Sequence, residues 1–405
     1  MKTEKKTILA TRVEDSVPST TSCSHLIFKA YKFRIYPNAE QRTLLAKHFG
    51  CCRFIYNKFL EERNRVYKET GKGLSLFETH RQMSLMRKTE GTEWLAEVYS
   101  HALQAELRNL DSAFRNLFRK TGKFPQFHGK HDKQSVTFPD NVKVIGGKLA
   151  LPKFKKPIKM KMHRPIIGKI CKATVSQDVT GRYYVSICCE ETCETLPPTG
   201  KEVGIDLGIK DMAVCSNGER IANPKYLEKG EKHLKYLQRQ VSKKKKGSNR
   251  RRRARLRLAQ HHKKVANRRK DYTHKITTRI VRENQTVCVE DLNVKGMQSN
   301  HHLARSIGSV AFGEIVRQLE YKCAWYGRGF VKVGRFYPSS KTCNHCGHVN
   351  HELTLKDREW VCEECGAEID RDYNAAMNIL AEGKRILSGN GELTDTKQKG
   401  GEAAA

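Results

Sequence analysis

The sequence contains no apolar run of the roughly 18 residues that a membrane-spanning helix requires. Its first 23 residues are polar, carry mixed charges and include no hydrophobic signal segment. Acidic residues are also scarce, since 43 Asp and Glu stand against 77 Lys and Arg, for a formal net charge of +34. These absences argue against a membrane span and a secretory signal, and we expect a cytoplasmic protein with no membrane partner.

A positive charge of this size exceeds what solubility requires, because like charges repel each other in a compact chain. A polyanionic partner would relieve the repulsion. Nucleic acid suits this role, since each phosphate that a cation neutralises releases a condensed counterion. A structural RNA-binding protein, or one that binds an anionic membrane surface, would show a similar composition.

The chain has 405 residues, enough for two to four domains of about 100–200 residues each. Hydrophobic residues make up 38% of the sequence, which indicates several modest cores instead of one large core. Of the 14 cysteines, four form two CxxC pairs and ten are scattered. This distribution favours a reduced protein with one metal site over a disulfide-bonded one.

The first half of the chain combines strand and helix patterns. Alternating apolar and polar residues predict strands at 28–36, 142–151, 158–162, 173–177 and 183–189. Helical spacing predicts helices within 39–65, 77–86 and 92–118. We therefore expect a small β-barrel with a helical bundle at 45–119 inserted into it.

The second half predicts a different order of elements. Short strands at 203–206, 211–215 and 219–221 precede a long basic helical stretch, and further strands are predicted at 286–290 and 329–337. Helices are predicted at 313–326 and 372–386. Three antiparallel strands followed by helix, strand, helix, strand and helix is the order of an RNase H-like fold. The last 18 residues are polar, and we expect them to be disordered.

Two cysteine pairs predict a structural zinc site. Cys343 and Cys346 are separated by fifteen residues from Cys362 and Cys365, a spacing at which two knuckles can share one tetrahedral Zn²⁺. Four protein ligands leave no open position, which is typical of structural zinc. His345 and His348 are alternative ligands, although four thiolates make them unnecessary.

Three acids predict a second metal site. Asp206 and Glu290 each end an apolar strand, and Asp372 opens a helix. Two Mg²⁺ ions about 3.5–4 Å apart would account for carboxylates in so basic a chain, because Mg²⁺ prefers oxygen ligands. Three unrelated acids that are solvated or cap helices would show the same spacing. Asp291, next to Glu290, and Asp370, two residues before Asp372, could be mistaken for the metal ligands.

Residues 241–270 contain fifteen Lys or Arg and no acid. Such a run is often a solvated face, but apolar residues within it favour a helical hairpin that contacts a nucleic-acid backbone. The residues that we predict to contact phosphates are Lys243, Lys244, Arg250, Arg251, Arg252, Arg253, Arg255, Arg257, Lys263, Lys264, Arg268 and Arg269.

Six segments together resemble the TnpB family of transposon-encoded RNA-guided nucleases, relatives of the type V CRISPR effectors. They are YKFRIYPN at 31–38, RFIYN at 53–57, GIDLGIK at 204–210, VEDL at 289–292, FYPSSKTC at 336–343 and DRDYNAAMNI at 370–379. They occur in the family's order and span most of the chain.

This resemblance implies an α/β multidomain fold. It comprises a wedge-like β-barrel (27–44 and 120–199), an inserted helical recognition domain (45–119), a RuvC-like nuclease domain (200–340 and 367–387) and a zinc-binding insertion (341–366). A flexible leader at 1–26 and a disordered tail at 388–405 lie outside it.

The resemblance also implies a function. The expected protein is a monomeric ribonucleoprotein that uses a transposon-end guide RNA to cleave double-stranded DNA beside a short motif. Asp206, Glu290 and Asp372 take the catalytic, Mg²⁺-binding positions, and the four cysteines bind Zn²⁺. Ser100, His101, Gln104, Asp140 and Asn141 lie where the family reads the motif, at positions that vary within it.

Two other functions remain open from the sequence. One is a DNA-binding accessory or repressor of transposition that does not cleave, and the intact acids disfavour it. The other is an RNase H-like transposase that joins strands without RNA.

Overall fold

The computed structural model describes residues 24–354 and 357–389. Most of the predicted leader and of the predicted tail therefore lies outside the described residues. At the boundary of the leader the prediction was wrong, because Ser24, His25 and Leu26 already belong to the first strand.

The first half of the described chain contains one antiparallel sheet and three α-helices. The strands are β1 (Ser24–Tyr36), β2 (Gln134–Phe138), β3 (Lys143–Ile145), β4 (Lys148–Ala150), β5 (Ile158–Lys161), β6 (Lys169–Gln177) and β7 (Tyr183–Glu194). The helices are α1 (Ala39–Thr70), α2 (Leu76–Met86) and α3 (Ser100–Phe118), with a 3₁₀ helix at Glu93–Glu97.

The sheet has the linear order β2-β6-β7-β1-β5-β4-β3. Within the described ranges its outer strands β2 and β3 are not paired with each other, so backbone hydrogen bonds do not close the predicted barrel. The run predicted as one strand at 142–151 is a hairpin of β3 and β4. Gly146 and Gly147 have positive φ angles of 54° and 71° at its turn, a conformation that glycine adopts without steric cost.

Local sequence fixes the ends of the long helix α1. The Asn38 side chain accepts a hydrogen bond from the backbone N–H of Gln41, and the Gln41 side chain accepts one from the backbone N–H of Asn38. This reciprocal capping box satisfies donors that helical bonding leaves free. Gly71, in the left-handed conformation, ends the helix.

The helices predicted as a separate bundle share one core with the sheet. Phe33 and Ile35 of β1 are buried together with Ile55 and Phe59 of α1 and Leu103 of α3. The alternation of apolar residues along β1 turns this face towards the helices. Sheet and helices therefore form one layered unit.

The second half is built on a five-stranded mixed sheet. Its strands are β8 (Glu202–Asp206), β9 (Asp211–Cys215), β10 (Arg220–Ala222), β11 (Thr286–Glu290) and β12 (Gly329–Val333), in the order β10-β9-β8-β11-β12. The first three are antiparallel neighbours, and β11 is parallel to β8 and β12. The predicted order of strands is confirmed, although β12 ends four residues earlier than predicted.

The remaining helices surround or extend from this sheet. They are α4 (Tyr226–Lys229), α5 (Glu231–Ser242), α6 (Asn249–Glu283), α7 (Val294–Ser299), α8 (His301–Val310), α9 (Phe312–Tyr326) and α10 (Arg371–Leu387). Residues of α6, α8 and α9 form the main core with the sheet, and Ile379 of α10 packs against Cys288 and Val331 from β11 and β12.

The cysteine segment forms a small unit between β12 and α10. Its strands β13 (Glu359–Val361) and β14 (Glu368–Asp370) pair with each other. Trp360 and Ile369 are buried with Cys343 and Cys362. The unit therefore includes residues 368–370, which the sequence analysis had assigned to the nuclease domain.

Candidate active site

Two of the predicted acids lie side by side at one edge of the five-stranded sheet. Asp206 is the last residue of β8 and Glu290 the last residue of β11. These strands are parallel, with Ile205 opposite Val289. Asp206 and Glu290 are the next residues of the two strands and therefore lie beside each other. Apolar residues hold the strands in the core, and each carboxylate emerges where its strand ends.

Helix α10 brings the third acid to this edge. Asp372 lies in its first turn, and the Asp370 side chain caps the helix by accepting a hydrogen bond from the backbone N–H of Tyr373 at 2.8 Å. The helix packs closely on the sheet at two glycines. A Cβ on Gly204 would lie 2.1 Å from the Ala376 carbonyl oxygen, and one on Gly383 would lie 2.2 Å from the Cys288 Sγ.

Electrostatics shows that the three carboxylates interact. The pKa of Asp206 is raised to about 7, first by burial and then by the charges of Asp372 and Glu290. Burial also raises the pKa of Glu290, with a further contribution from Asp291. Carboxylates that disfavour each other's ionisation are ready to bind a cation, which removes the repulsion.

The neighbouring acids have different partners. Asp291 accepts a hydrogen bond at 2.6 Å from Arg335, and Asp370 accepts one at 2.6 Å from Arg220. Within the described chain, by contrast, no Lys or Arg forms an ion pair with Asp206 or Glu290. Asp291 and Asp370 are thus neutralised, whereas Asp206 and Glu290 lack a cationic partner among the described residues.

Sequence reasoning missed Arg358, which precedes β13. Its Nη1 donates to both carboxylate oxygens of Asp372 at 3.4 Å. The side chain of Arg358 is about half exposed, at 56%. An isolated arginine between two cysteine pairs carries no periodic or motif signal, so only the fold reveals that the cysteine unit reaches the acid site.

The acids could hold divalent cations. Their carboxylates are hard oxygen donors, which are the ligands that Mg²⁺ prefers. They are distinct from the cysteine cluster, which among the described residues is the one group of three or more His, Cys, Asp or Glu with ligand atoms close enough to share a single ion.

The cysteine cluster fits one zinc ion. The Sγ atoms of Cys343 and Cys365 are 3.7 Å apart, and those of Cys346 and Cys362 are 3.5 Å apart. A tetrahedron with Zn–S distances of about 2.3 Å has S–S distances of about 3.8 Å. The alternative ligands His345 and His348 are not part of the cluster.

The two knuckles have the same backbone design. The N–H of Gly347 donates to the Cys343 carbonyl at 2.9 Å, and that of Gly366 donates to the Cys362 carbonyl at 2.8 Å. Both glycines have positive φ angles, 81° and 69°, as their position after each CxxC suggested. The turns direct both thiolates of a pair to one point.

Hydrogen bonds fasten the cysteine unit to the helix that carries Asp372. The side-chain amides of Asn374 and Asn378, both buried in α10, donate to the Thr342 carbonyl at 2.7 and 2.6 Å. Asn374 also accepts a hydrogen bond from the backbone N–H of Asn344. The cysteine unit and the acid site are therefore mechanically linked.

The predicted basic hairpin is formed by α5 and α6, which pack against each other. The twelve cations predicted to contact phosphates divide into two groups. Eight are exposed, and their side chains form no ion pair or hydrogen bond within the described chain: Lys243, Arg250, Arg252, Arg253, Arg255, Arg257, Lys264 and Arg268.

The other four predicted cations are half-buried and have partners inside the protein. Lys244 donates to Gln240, and Arg251 donates to the Lys244 carbonyl at 2.8 Å. Arg269 donates to the Gly308 carbonyl. Lys263 pairs with Asp178 of the β6–β7 turn and lies 4.0 Å from the ring centre of Tyr184, which ties α6 to the other sheet.

The structure also groups three of the five residues proposed to read a target motif. His101 Nδ1 lies 2.6 Å from Asp140, and Tyr99 donates its hydroxyl to Asp140 and accepts from Asn141. Ser100 and Gln104 lie nearby on α3 and are half-buried. Sequence reasoning missed Tyr99, which connects the group.

No described helix combines the length and the apolar character needed to cross a bilayer.

Three family descriptions match parts of the chain. Residues 186–301 match the OrfB_IS605 family, described as a probable transposase, and residues 312–379 match the Cas12f1-like TNB domain. Residues 27–72 match a helix-turn-helix domain of the OrfB_IS605 group. In this chain those residues form β1 and the continuous helix α1, without a turn between two helices.

Relatives match over most of their length. A Streptomyces pristinaespiralis protein with a proposed assignment as an RNA-guided DNA endonuclease is 43% identical over 88% of this chain and 89% of its own. InsQ of Escherichia coli (strain K12), with the same proposed assignment, is 30% identical over 89% of this chain and 93% of its own.

A solved structure shares the fold. The Cas12f1 chain of a cryo-EM complex with sgRNA and target DNA aligns with a TM-score of 0.53 and 16% identity, over 87% of this chain and 98% of that chain. The geometry, the sequence motifs and the extended identity agree. The chain belongs to the TnpB-like family of RNA-guided DNA endonucleases.

Proposed function

We propose that this protein is an RNA-guided endonuclease that cleaves double-stranded DNA next to a short target motif. Its cutting site is the RuvC-type, RNase H-like sheet edge with Asp206, Glu290 and Asp372. One observation carries the proposal: acids from three distant segments meet where two parallel strands end, and burial together with the charges of Asp372 and Glu290 raises the pKa of Asp206. Such a cluster is typical of a functional site.

The chain's own residues have distinct roles in this mechanism. Asp206, on which the charges of Asp372 and Glu290 both act, would hold the Mg²⁺ ions together with these two acids. When bound, the two ions would supply Lewis-acid activation of water and stabilise the leaving oxygen of the phosphodiester. Arg358 pairs with Asp372 and would place a positive charge beside a phosphate bound at this site.

The other parts of the molecule would bind and recognise nucleic acid. Pairing with a transposon-end guide RNA would read the target sequence, while the eight exposed cations of the hairpin hold phosphates. The β1–β7 sheet would act as the wedge domain, and the α1–α3 layer as the recognition domain. His101, Asp140 and Asn141, with Ser100 and Gln104, would read the adjacent motif.

The cysteine unit would bind Zn²⁺ as a structural element, because four thiolates leave no position for a reactant. We further propose a monomeric ribonucleoprotein that acts in the cytoplasm of a prokaryote, associated with the nucleoid.

Plasmid cleavage by the purified ribonucleoprotein in Mg²⁺ tests the function. We expect cutting of a matched target beside the correct motif and none of a mismatched one. Glu290→Gln should abolish cutting yet leave guided binding intact. Asp291→Asn is the matched control, since Asp291 is already neutralised by Arg335, and its rate should stay within about threefold of wild type.

Other outcomes identify the alternatives. Guided binding without cutting by the wild-type protein would indicate a repressor or accessory protein, and RNA-independent strand transfer would indicate a transposase. Cutting by Glu290→Gln at the wild-type rate would contradict the assigned acid site. Sequencing the RNA that copurifies with the protein would identify the guide.

A further inference from the structure

A groove runs between α5 and α6 and contains two cavities. One, of about 450 Å³, is lined by Tyr226, His233, His261 and neighbouring basic residues. The other, of about 210 Å³, is lined by Tyr236 together with Leu237 and several arginines. Residues of both helices line each cavity, so both belong to the same groove.

Aromatic and imidazole rings connect the two cavities. The rings of His261 and His233 are 4.9 Å apart, and those of His233 and Tyr236 are 6.1 Å apart and inclined by only 27°. His233 and Tyr236 are exposed, and Tyr236 is 55% accessible. The exposed parts of these two rings offer flat surfaces along a polar groove.

Unpaired cations surround both ends of this ring series. Lys229, Lys264 and Arg268 line the larger cavity, and Arg250, Arg253 and Arg257 line the smaller one. All six are exposed and, within the described residues, form no ion pair. The groove therefore combines stacking surfaces with phosphate-binding groups.

The orientation of α6 places this groove beyond the acid edge of the sheet. The Tyr272 hydroxyl of α6 donates to the Ala222 carbonyl at the end of β10, and Arg279, further along α6, pairs with Glu219 just before β10. Helix α6 therefore runs antiparallel to β10. Because β10 and β8 are both antiparallel to β9, they are parallel to each other, so α6 also runs antiparallel to β8. His261 precedes Tyr272 by eleven residues, or about 16 Å of helix.

We propose that the α5–α6 groove is a binding track for an unpaired polynucleotide, with bases stacked on His233 and Tyr236 and phosphates on the six cations. A duplex buries the faces of its bases, so it can use the cations but not the rings. An unpaired strand can use both. This proposal rests on the proposed function, in which the guide RNA and the displaced DNA strand each supply unpaired nucleotides.

Fluorescence anisotropy with labelled 12-nucleotide oligo(A) strands tests the track. The full-length protein, without guide or Mg²⁺, is titrated with the RNA strand, the DNA strand, an abasic DNA strand and a DNA duplex. His233→Ala and Tyr236→Ala should each weaken binding of the base-bearing strands by about tenfold. His233→Phe and Tyr236→Phe should restore it, because phenylalanine keeps a flat ring.

The abasic strand and the duplex separate stacking from charge. We expect the abasic strand to bind wild type less tightly than oligo(A), and neither it nor the duplex to respond to the ring variants. Arg250→Ala, Arg253→Ala and Arg257→Ala combined should weaken binding of all strands and reduce the salt dependence. His262→Ala, an exposed neighbour outside the groove, is the control and should bind like wild type.

The result also identifies the source of the strand. Tighter binding of RNA assigns the track to the guide, tighter binding of DNA to the displaced strand, and equal binding to any unpaired strand. Ring variants that bind oligo(A) like wild type, or an abasic strand bound as tightly as oligo(A), would overturn the proposal. Guided plasmid cleavage is measured separately, so failure of the track leaves the test of the nuclease unaffected.

Discussion

The molecule contains two candidate metal centres that differ in how completely the folded chain positions their ligands without a metal. In the cysteine cluster, all ligand atoms already lie within 4.8 Å of one another, and two glycine turns fix their positions. At the acid site, burial and the charges of Asp372 and Glu290 raise the pKa of Asp206 to about 7, and Asp372 is paired with Arg358.

This difference corresponds to a difference in task. A structural site gains from ligands that converge on one ion and exclude everything else. A catalytic site must leave room for water and phosphate, so its ligands remain incomplete until the substrate arrives. The following predictions test this contrast, in order of decreasing expected effect.

Asp206→Asn should have the largest effect on cleavage, a loss of roughly 10³-fold or more, because it removes the acid on which the charges of both other acids act. Without added Mg²⁺ at pH 8 it should raise the melting temperature by about 2 °C. The sign follows from linkage: folding raises the pKa of this carboxyl from 3.8 to about 7, so stability falls as pH rises through that range, and the loss is complete above it. Single-turnover cleavage and thermal unfolding measure the two effects, and a lower melting temperature would contradict the repulsion.

Cys362→Ser should act on structure instead of chemistry. We expect bound zinc to fall from one ion per chain to none and the 338–370 segment to become sensitive to protease. Cleavage should fall as well, because Asn374 and Asn378 no longer have an ordered unit to hold. Cys193→Ser, outside the cluster, should retain zinc. A soluble, zinc-free and fully active Cys362→Ser protein would refute the structural zinc.

Gly204→Ala should reduce cleavage by about 100-fold without changing any carboxylate. The added methyl group meets the backbone of α10 at Ala376 and Leu380, so the helix and Asp372 must move away from the sheet. Guided DNA binding should persist. Gly313→Ala provides the control, since nothing lies within 4 Å of its Cβ position. Equal cleavage by both variants would show that the spacing of α10 is not critical.

The Mg²⁺ requirement should depend on pH. Because the pKa of Asp206 is about 7, the Asp206 carboxyl is protonated in most molecules at pH 6 and ionised in most molecules at pH 8. Half-maximal cleavage should therefore need about tenfold more Mg²⁺ at pH 6 than at pH 8. Zinc content should stay constant across the same range. A Mg²⁺ midpoint independent of pH would contradict the raised pKa.

Arg358→Ala should have the smallest effect on metal binding. Its loss removes a cation that competes for Asp372, so Mn²⁺ affinity measured by calorimetry should rise by up to about fivefold, as expected for an exposed ion pair. Arg220→Ala, which releases Asp370 instead, is the control and should leave that affinity unchanged. Weaker Mn²⁺ binding by Arg358→Ala would indicate that the arginine organises the site.

The sequence predicted the parts of the molecule that local pattern determines. The apolar strands ending at Asp206 and Glu290 and the paired CxxC motifs carry their signals within a few residues, and the structure contains them at those positions. Strand β2 was missed because only two buried residues, Val136 and Phe138, mark it within a polar stretch. Its identity as a strand depends on pairing with β6.

The functions of individual cations could not be predicted, for a similar reason. A run of Lys and Arg gives the total charge of a surface but not the acids and carbonyls that the fold places beside it. Lys263 meets Asp178 from a turn 85 residues earlier, and Arg269 meets the Gly308 carbonyl. Tertiary neighbours therefore decided which predicted phosphate contacts remain free.

The side-chain amides of Asn374 and Asn378, which attach the cysteine unit to α10, have a consequence for how a newly synthesised chain matures. The Thr342 carbonyl that these amides bind directly precedes Cys343, so we expect it to be held in place only once the thiolates have captured an ion. We therefore expect zinc supply to govern when a fresh molecule becomes competent to cut. Zinc-starved cells would then accumulate protein that is loaded with guide RNA but does not cleave DNA.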